Sequence, residues 1–150
     1  MYKRQVWDNH GPFEGLTGYQ MLKAKYCLPP LDRGFSALID DLSASGQLDE
    51  TLVAMYGEFG RTPKINANIG RDHWGACQSA VLAGGGIRGG QVYGDSDRQS
   101  AYPTSNPVSP EDMLATIYYS LGISPESVIY DQGRRPHQVV DGKPIRALFG

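Results

Sequence analysis

The order of the predicted elements is the feature that most constrains how this chain folds. Apolar residues recur at helical spacing over residues 31–42, between Pro30 in the first turn and Gly46 at the end. A short β-rich run at 51–56 predicts a buried strand, 79–83 predicts a second strand, and 91–93 predicts a short third strand. Ser109 and Pro110 then open a second helix, which has acidic residues in its first turn and Gly122 at its end.

Helix, strand, loop, strand, loop and helix, in that order, indicate an α/β layer with a mostly parallel sheet. Residues 95–110 contain three prolines and are predicted to form turns, as is the terminal stretch 144–149. Because so few strands cannot complete such a sheet, the sequence predicts an α/β fold that is incomplete in this chain.

Composition excludes several classes of protein. Hydrophobic residues make up 40% of the chain and charged residues 20%, which argues against disorder. The formal net charge of -2 gives no basic patch for nucleic acid or an anionic membrane. The apolar stretches are too short to span a membrane. Cys27 and Cys77 lie far apart without a CxxC motif, so we predict buried thiols outside any disulfide.

The first residues do not resemble the start of a domain. A polar cluster begins at Trp7 with no predicted strand before it, whereas domains usually open with a disordered lead or a whole element. We interpret residues 1–5 as a non-native leader and 6–150 as the C-terminal part of one α/β domain. Such a part exposes an apolar sheet edge, so we expect poor solubility or partial unfolding in isolation.

Three polar clusters carry the side chains best suited to chemistry. The first begins at Trp7, which we interpret with Val6 as the tail of a strand, and the other two adjoin predicted strands. They are WDNHG at 7–11, GEFGRTP at 57–63 and GRDHW at 70–74. Loops beyond the carboxyl ends of strands converge in open α/β sheets, so we expect these clusters to form one site. Carboxylates and imidazoles bind zinc and other divalent metals, and a nearby arginine can grip a phosphate or sulfate oxygen. The residues of this predicted site are Asp8, His10, Glu58, Arg61, Asp72 and His73.

Each cluster also has a structural interpretation. The glycine run at 84–90 lacks the lysine and the following helix of a phosphate-binding loop, and is predicted to be a tight loop. His137 lies in a polar, turn-rich stretch and is predicted to be solvated. The structural alternatives for the clusters are a turn cap formed by Asp8 and His10, an ion pair of Glu58 with Arg61 or Arg71, and packing of His73 on Trp74.

Together these strings resemble the C-terminal half of the domain-of-unknown-function family 1501, a large bacterial family described as sulfatase-like. The resemblance also rests on AGGGI at 83–87, GGQVYG at 89–94 and PED at 110–112, and it runs in order from Val6 to Phe149. The family is similar to the alkaline phosphatase superfamily, which includes sulfatases, phosphatases and phosphoglycerate mutases. The resemblance implies the C-terminal part of a layered fold of that type, and full-length relatives that resemble exported or periplasmic proteins.

The resemblance also implies roles for individual residues. Zinc, calcium, magnesium or manganese is the implied cofactor, and the nucleophile is expected in the N-terminal half that this chain lacks. Phe59 departs from the superfamily pattern because a phenyl ring cannot bind metal, so one ligand of a two-metal site is lost. The implied metal ligands are Asp8, His10, Glu58 and His73, and the implied substrate-binding residues are Arg61 and Arg71.

Three functions remain open from the sequence. The first is metal-assisted hydrolysis of a sulfate or phosphate ester, with full activity only in the intact protein. The second is non-catalytic binding of an anionic ligand such as a sulfated or phosphorylated glycan. The third is a structural domain with a buried polar cluster. Phe59 favours the second and third functions over the first, and the oligomeric state is left open.

Overall fold

The computed structural model describes residues 18–23 and 27–150. Three helices and eight short strands lie in this part of the chain, together with two single 3-10 turns. The helices are α1 (Gly18–Lys23), α2 (Leu28–Ala44) and α3 (Pro110–Ser120). The strands are β1 (Val53–Met55), β2 (Gly60–Arg61), β3 (His73–Trp74), β4 (Val81–Ala83), β5 (Asp95–Ser96), β6 (Pro103–Ser105), β7 (Val128–Tyr130) and β8 (Pro136–Gln138).

Helix α2 confirms the helical spacing of residues 31–42 and extends it at both ends. Pro29 and Pro30 occupy its first turn, where a missing backbone N–H has no cost. The helix ends because Gly46 adopts a left-handed conformation with φ 71°, and Gln47 N–H then donates to the Leu42 carbonyl. The predicted apolar face is only half-buried, and Leu38 on that face is exposed.

Helix α3 begins where Ser109 and Pro110 predict. The Ser109 hydroxyl accepts from the Asp112 N–H at 3.0 Å, and the Asp112 carboxylate accepts from the Ser109 N–H, which completes a capping box. The helix stops before Gly122, whose φ is 74°. Sequence-local hydrogen bonding therefore fixes both ends of α3.

The prediction of a mostly parallel sheet is wrong. The strand runs at 51–56 and 79–83 do form β1 and β4, but they pair antiparallel, with Val53 opposite Ala83. Every sheet in the described ranges has two antiparallel strands. These residues therefore do not form the layered, mostly parallel fold of the alkaline phosphatase type. The reason is the connection: parallel neighbours need a crossover, usually a helix, whereas residues 56–80 form a hairpin that returns the chain.

Three further predictions about strands and turns are corrected. β1 is half-buried rather than buried. Residues 91–93 form no strand, because Gln91 uses its side chain to donate to the carbonyls of Arg88 and Leu148, and Val92 is 90% exposed. The turn-rich stretch from residue 95 contains the β5–β6 hairpin. The glycine run is a tight loop as predicted, with Gly84, Gly85 and Gly86 all at positive φ.

The fully buried side chains gather where α3 meets the end of the chain. Ala115 and Thr116 are 0% exposed, and Ile145 and Leu148 are 8% exposed. The Thr116 hydroxyl accepts from the Ile145 N–H at 2.9 Å and donates to the Asp112 carbonyl at 2.7 Å. The C-terminal segment is thereby held against α3, and the predicted terminal turn at 144–149 contains a 3-10 turn, Arg146–Leu148.

Two remaining predictions concern the cysteines and a membrane. Among residues 18–23 and 27–150 no disulfide forms; Cys27 is buried, but Cys77 is only half-buried. In the same ranges, no helix has both the length and the apolar character needed to cross a bilayer.

Candidate functional site

The second and third polar clusters form the two arms of one hairpin. β2 and β3 pair antiparallel, with Gly60 opposite Trp74 and Arg61 opposite His73. Residue 60 must be glycine because a Cβ there would overlap the backbone carbonyl of Cys77. This close approach fixes the hairpin against the chain that leads into β4. The structure therefore places the clusters at 57–63 and 70–74, six residues apart in the sequence, side by side.

Side chains alternate between the two faces of this hairpin. Residues 59 and 61 lie on one face, and His73, opposite Arg61, shares it. Trp74 lies on the other face, where its Nε1–H donates to the Ala101 carbonyl at 2.6 Å. The tryptophan thus anchors the hairpin to the β5–β6 region and leaves the Arg61 face for other contacts.

The Arg61 face carries a stack of three side chains. The rings of Phe59 and His73 have centroids 4.1 Å apart and planes inclined by 37°. The guanidinium carbon of Arg61 lies 5.4 Å from the centroid of the Phe59 ring, within the range of a cation–π contact. Phe59 therefore contacts both the guanidinium and the imidazole and holds the two groups on one face of the hairpin.

Arg61 has one buried guanidinium nitrogen without a partner. Its Nη1 is inaccessible to solvent and makes no hydrogen bond within the part of the chain that the structure describes. A buried unsatisfied donor costs about 1–3 kcal/mol, and more when it is charged. A group of this kind in a folded protein calls for an acceptor, and an oxyanion is the acceptor that a guanidinium matches best.

The loop between β2 and β3 is held by its own hydrogen bonds. Nη1 of Arg71 donates to the carbonyls of Thr62 and Pro63 at 2.6 and 2.7 Å. Thr62 N–H donates to the Asp72 carbonyl at 2.9 Å, and Asp72 N–H donates to the Thr62 hydroxyl at 3.1 Å. The resemblance implies that Arg71 binds substrate. In the structure, Nη1 of its guanidinium instead donates to backbone carbonyls that close the loop.

Asn66 organises the tip of the same loop, and sequence analysis did not single it out. Its side-chain oxygen accepts from the N–H groups of Asn68 and Gly70, both at 3.0 Å, and its Nδ2 donates to Asp72 at 2.9 Å. Ile69 is held at φ 57°, a conformation that strains a β-branched residue. The signal that predicts such a turn is the Asn-x-Asn pattern before a glycine, since asparagine bonds the backbone two residues on.

The predicted site residues are only partly assembled by the described part of the chain. Asp8 and His10 lie outside the described residues. Glu58 is exposed, and within residues 18–23 and 27–150 it forms neither of the ion pairs considered for it. The Asp72 carboxylate is bonded to Asn66. Arg61 and His73 are the pair that the hairpin places side by side.

A metal centre would need more ligands than this hairpin supplies. The described ranges contain no group of three or more His, Cys, Asp or Glu side chains that could hold an ion. Glu58 and His73 offer the right donor chemistry but only two ligands, and structural zinc sites have four. The other implied ligands, Asp8 and His10, would have to complete the set.

A separate charged cluster lies on the β7–β8 hairpin. The Asp131 carboxylate accepts from the backbone N–H and Nε of Arg135 at 2.9 and 2.7 Å, and His137 Nε2 lies 3.3 Å from it. The backbone N–H of Arg135 is the main cause that lowers the pKa of Asp131, and the side chains of Arg135 and His137 add to it. His137 is exposed, as predicted, but it lies on strand β8 and not in the predicted loop.

Comparison with known proteins identifies the family. The sequence profile of the proteins of unknown function DUF1501 matches residues 1–149, so the chain belongs to that family. No curated protein and no solved structure matches it.

Proposed function

We propose that this chain binds an oxyanion, a sulfate or phosphate ester, through the guanidinium of Arg61. The observation that carries the proposal is the buried Nη1 of Arg61, which has no acceptor among the residues described. An ester oxygen placed there would convert an unsatisfied charged donor into a charge-assisted hydrogen bond.

The surroundings of Arg61 favour such a ligand. The Phe59 ring fixes the guanidinium plane, so little side-chain entropy is lost when an anion binds. The His73 ring, which packs on Phe59, adds a second hydrogen-bonding group to the same face. The internally bonded loop 62–72 keeps this face in place before the ligand arrives, which lowers the cost of ordering.

The second candidate function is metal-assisted hydrolysis of the same esters. Its support is the donor set Asp8, His10, Glu58 and His73, which joins carboxylates and imidazoles. When bound, a divalent metal would polarise the ester and lower the pKa of a bound nucleophile. Only seven residues separate His10 from Gly18, and these eight Cα–Cα steps reach at most about 28 Å. Gly18 in turn lies against the loop tip, since a Cβ built on it would be 3.8 Å from the Gly70 Cα.

Calorimetric titration with inorganic sulfate and phosphate tests the anion site. We expect binding by the native chain and a loss of about tenfold or more in affinity for Arg61→Gln, because a hydrogen bond to a charged group is removed. Arg98→Gln is the matched control, since Arg98 is exposed and makes no hydrogen bond to the described residues. Equal affinities for all three proteins, or no binding by the native chain, would refute the proposal.

Metal analysis of the purified protein tests the second candidate separately. Stoichiometric divalent metal that is lost in His73→Ala but retained in His137→Ala would support a hydrolase. His137 is the suitable control because its side chain is exposed and bonds only to Asp131. A native protein without metal would remove the hydrolase candidate and leave anion binding at Arg61 as it stands.

A further inference from the structure

The β7–β8 hairpin presents an apolar strand to solvent on both of its faces. Val128 and Tyr130 point to one side and are 46% and 70% exposed, while Ile129 points to the other and is 58% exposed. All three residues of β8 are exposed as well. Isolated two-stranded hairpins are marginally stable in water, so a hairpin of this composition calls for a covering surface.

The outer edge of β7 also carries unused backbone groups. Val139 N–H donates to the Ser127 carbonyl and Asp131 N–H to the Arg135 carbonyl, so the odd-numbered residues of this segment face β8. By alternation, the N–H and C=O groups of Val128 and Tyr130 point away from β8, and no strand of the described ranges pairs with them. An edge of this kind is a template for another strand.

We propose that β7 pairs edge to edge with β7 of a second copy of the chain, in an antiparallel arrangement centred on Ile129. In that register Val128 of one copy lies opposite Tyr130 of the other, and the outward N–H and C=O groups of each pair satisfy one another. An isologous contact of this kind needs a self-complementary strand, which the sequence Val-Ile-Tyr provides.

Charge complementarity supports a second copy as the occupant. In the antiparallel arrangement, the turn that follows β7 in one copy approaches the segment that precedes β7 in the other. Arg134 in that turn is exposed, and its guanidinium has no partner among the described residues. The Glu126 side chain in the preceding segment is exposed and likewise makes no contact with a cation there. In the proposed dimer, Arg134 of each copy therefore lies near Glu126 of the other, once at each end of the paired strands.

Sedimentation equilibrium of the full chain tests this proposal. The native chain should show twice its 16.4 kDa mass at micromolar concentration. Ile129→Asp should be a monomer because two carboxylates would face each other at the centre of the pairing. Val92→Asp makes the same change at a 90% exposed loop residue and should remain a dimer. A monomeric native chain, or a dimer that survives Ile129→Asp, would overturn the proposal.

A charge exchange gives a second test that leaves the fold undisturbed. Arg134→Glu should weaken dimerisation about two- to fivefold for each contact, as expected for exposed ion pairs. Adding Glu126→Arg to that variant should restore the native dissociation constant. If the double variant is weaker than Arg134→Glu alone, the copies do not pair in this register and the proposed interface is wrong.

Discussion

Replacing Thr116 by valine probes the contact that ties the end of the chain to α3. Thr116 is 0% exposed, and its hydroxyl is the acceptor for the Ile145 N–H at 2.9 Å. Valine has nearly the same shape but no acceptor, so the N–H of Ile145, itself 8% exposed, is left unsatisfied in the interior. The Asp112 carbonyl loses the Thr116 hydroxyl but keeps its helical N–H partner. We therefore expect a loss of about 1–3 kcal/mol in the free energy of unfolding.

Urea denaturation followed by circular dichroism measures this change. With a slope of about 2 kcal/mol per molar urea, the midpoint should fall by roughly 0.5–1.5 M. Thr104→Val is the control, because the Thr104 hydroxyl is exposed and its bond to the Asp95 carbonyl is long, at 3.4 Å. That variant should change stability by less than about 0.5 kcal/mol. A Thr116→Val protein as stable as the Thr104→Val protein would show that Thr116 does not hold Ile145, and would refute the reasoning.

Two further substitutions test the same contact region. Gly142→Ala should lower the free energy of unfolding by about 1–3 kcal/mol, because a Cβ there would overlap the backbone of Glu111 at the start of α3. The control Gly89→Ala adds a methyl group in open space and should be tolerated. Equal melting temperatures for the two variants would contradict this prediction. The backbone N–H of Lys143 donates to Asp112 and is the main cause that lowers the pKa of this carboxyl below its ordinary value of 3.8. The Asp112 carboxylate therefore stabilises the fold above pH 3.8, and this stabilisation is lost as the pH falls through the lowered pKa. From about pH 5 downward, the free energy of unfolding of Asp112→Asn should therefore depend less on pH than that of Asp40→Asn, in which an exposed carboxylate is replaced. The same pH dependence in both variants would show that Asp112 does not stabilise the fold in this way.

Local signals in the sequence predicted helices more successfully than sheets. Helices α2 and α3 were anticipated, because prolines, terminal glycines and the Ser109 cap act within a few residues of the helix end, whereas α1 was not. The two strand runs were also found, yet their direction was wrong. Strand direction depends on how the intervening chain travels, and no pattern within 56–80 distinguishes a hairpin from a crossover.

The candidate site divides in the same way. The strings at 7–11, 57–63 and 70–74 were predicted to form one site; the β2–β3 register places Arg61 opposite His73, and residues 7–11 lie outside the described residues. The commitment of Asp72 to Asn66 and of Arg71 to backbone carbonyls was not anticipated, because these bonds exist only once the loop closes. Sequence supplied the chemical groups, and loop geometry decided which of them are available to a ligand.

The sequence by itself located helices α2 and α3 and determined where α3 begins, since the Ser109 and Asp112 cap is satisfied within a few residues, whereas α2 extends beyond its predicted run at both ends. Only the tertiary structure decided which side of α3 is fully buried. The apolar spacing predicts a face made of Met113, Leu114, Ile117, Tyr118 and Leu121. Leu114 and Leu121 are exposed and the other three are half-buried, whereas Ala115 and Thr116 are the residues sealed from solvent. The physical reason is that the segment 142–145 lies against that side of α3, and a contact across about thirty residues leaves no periodic trace in the sequence.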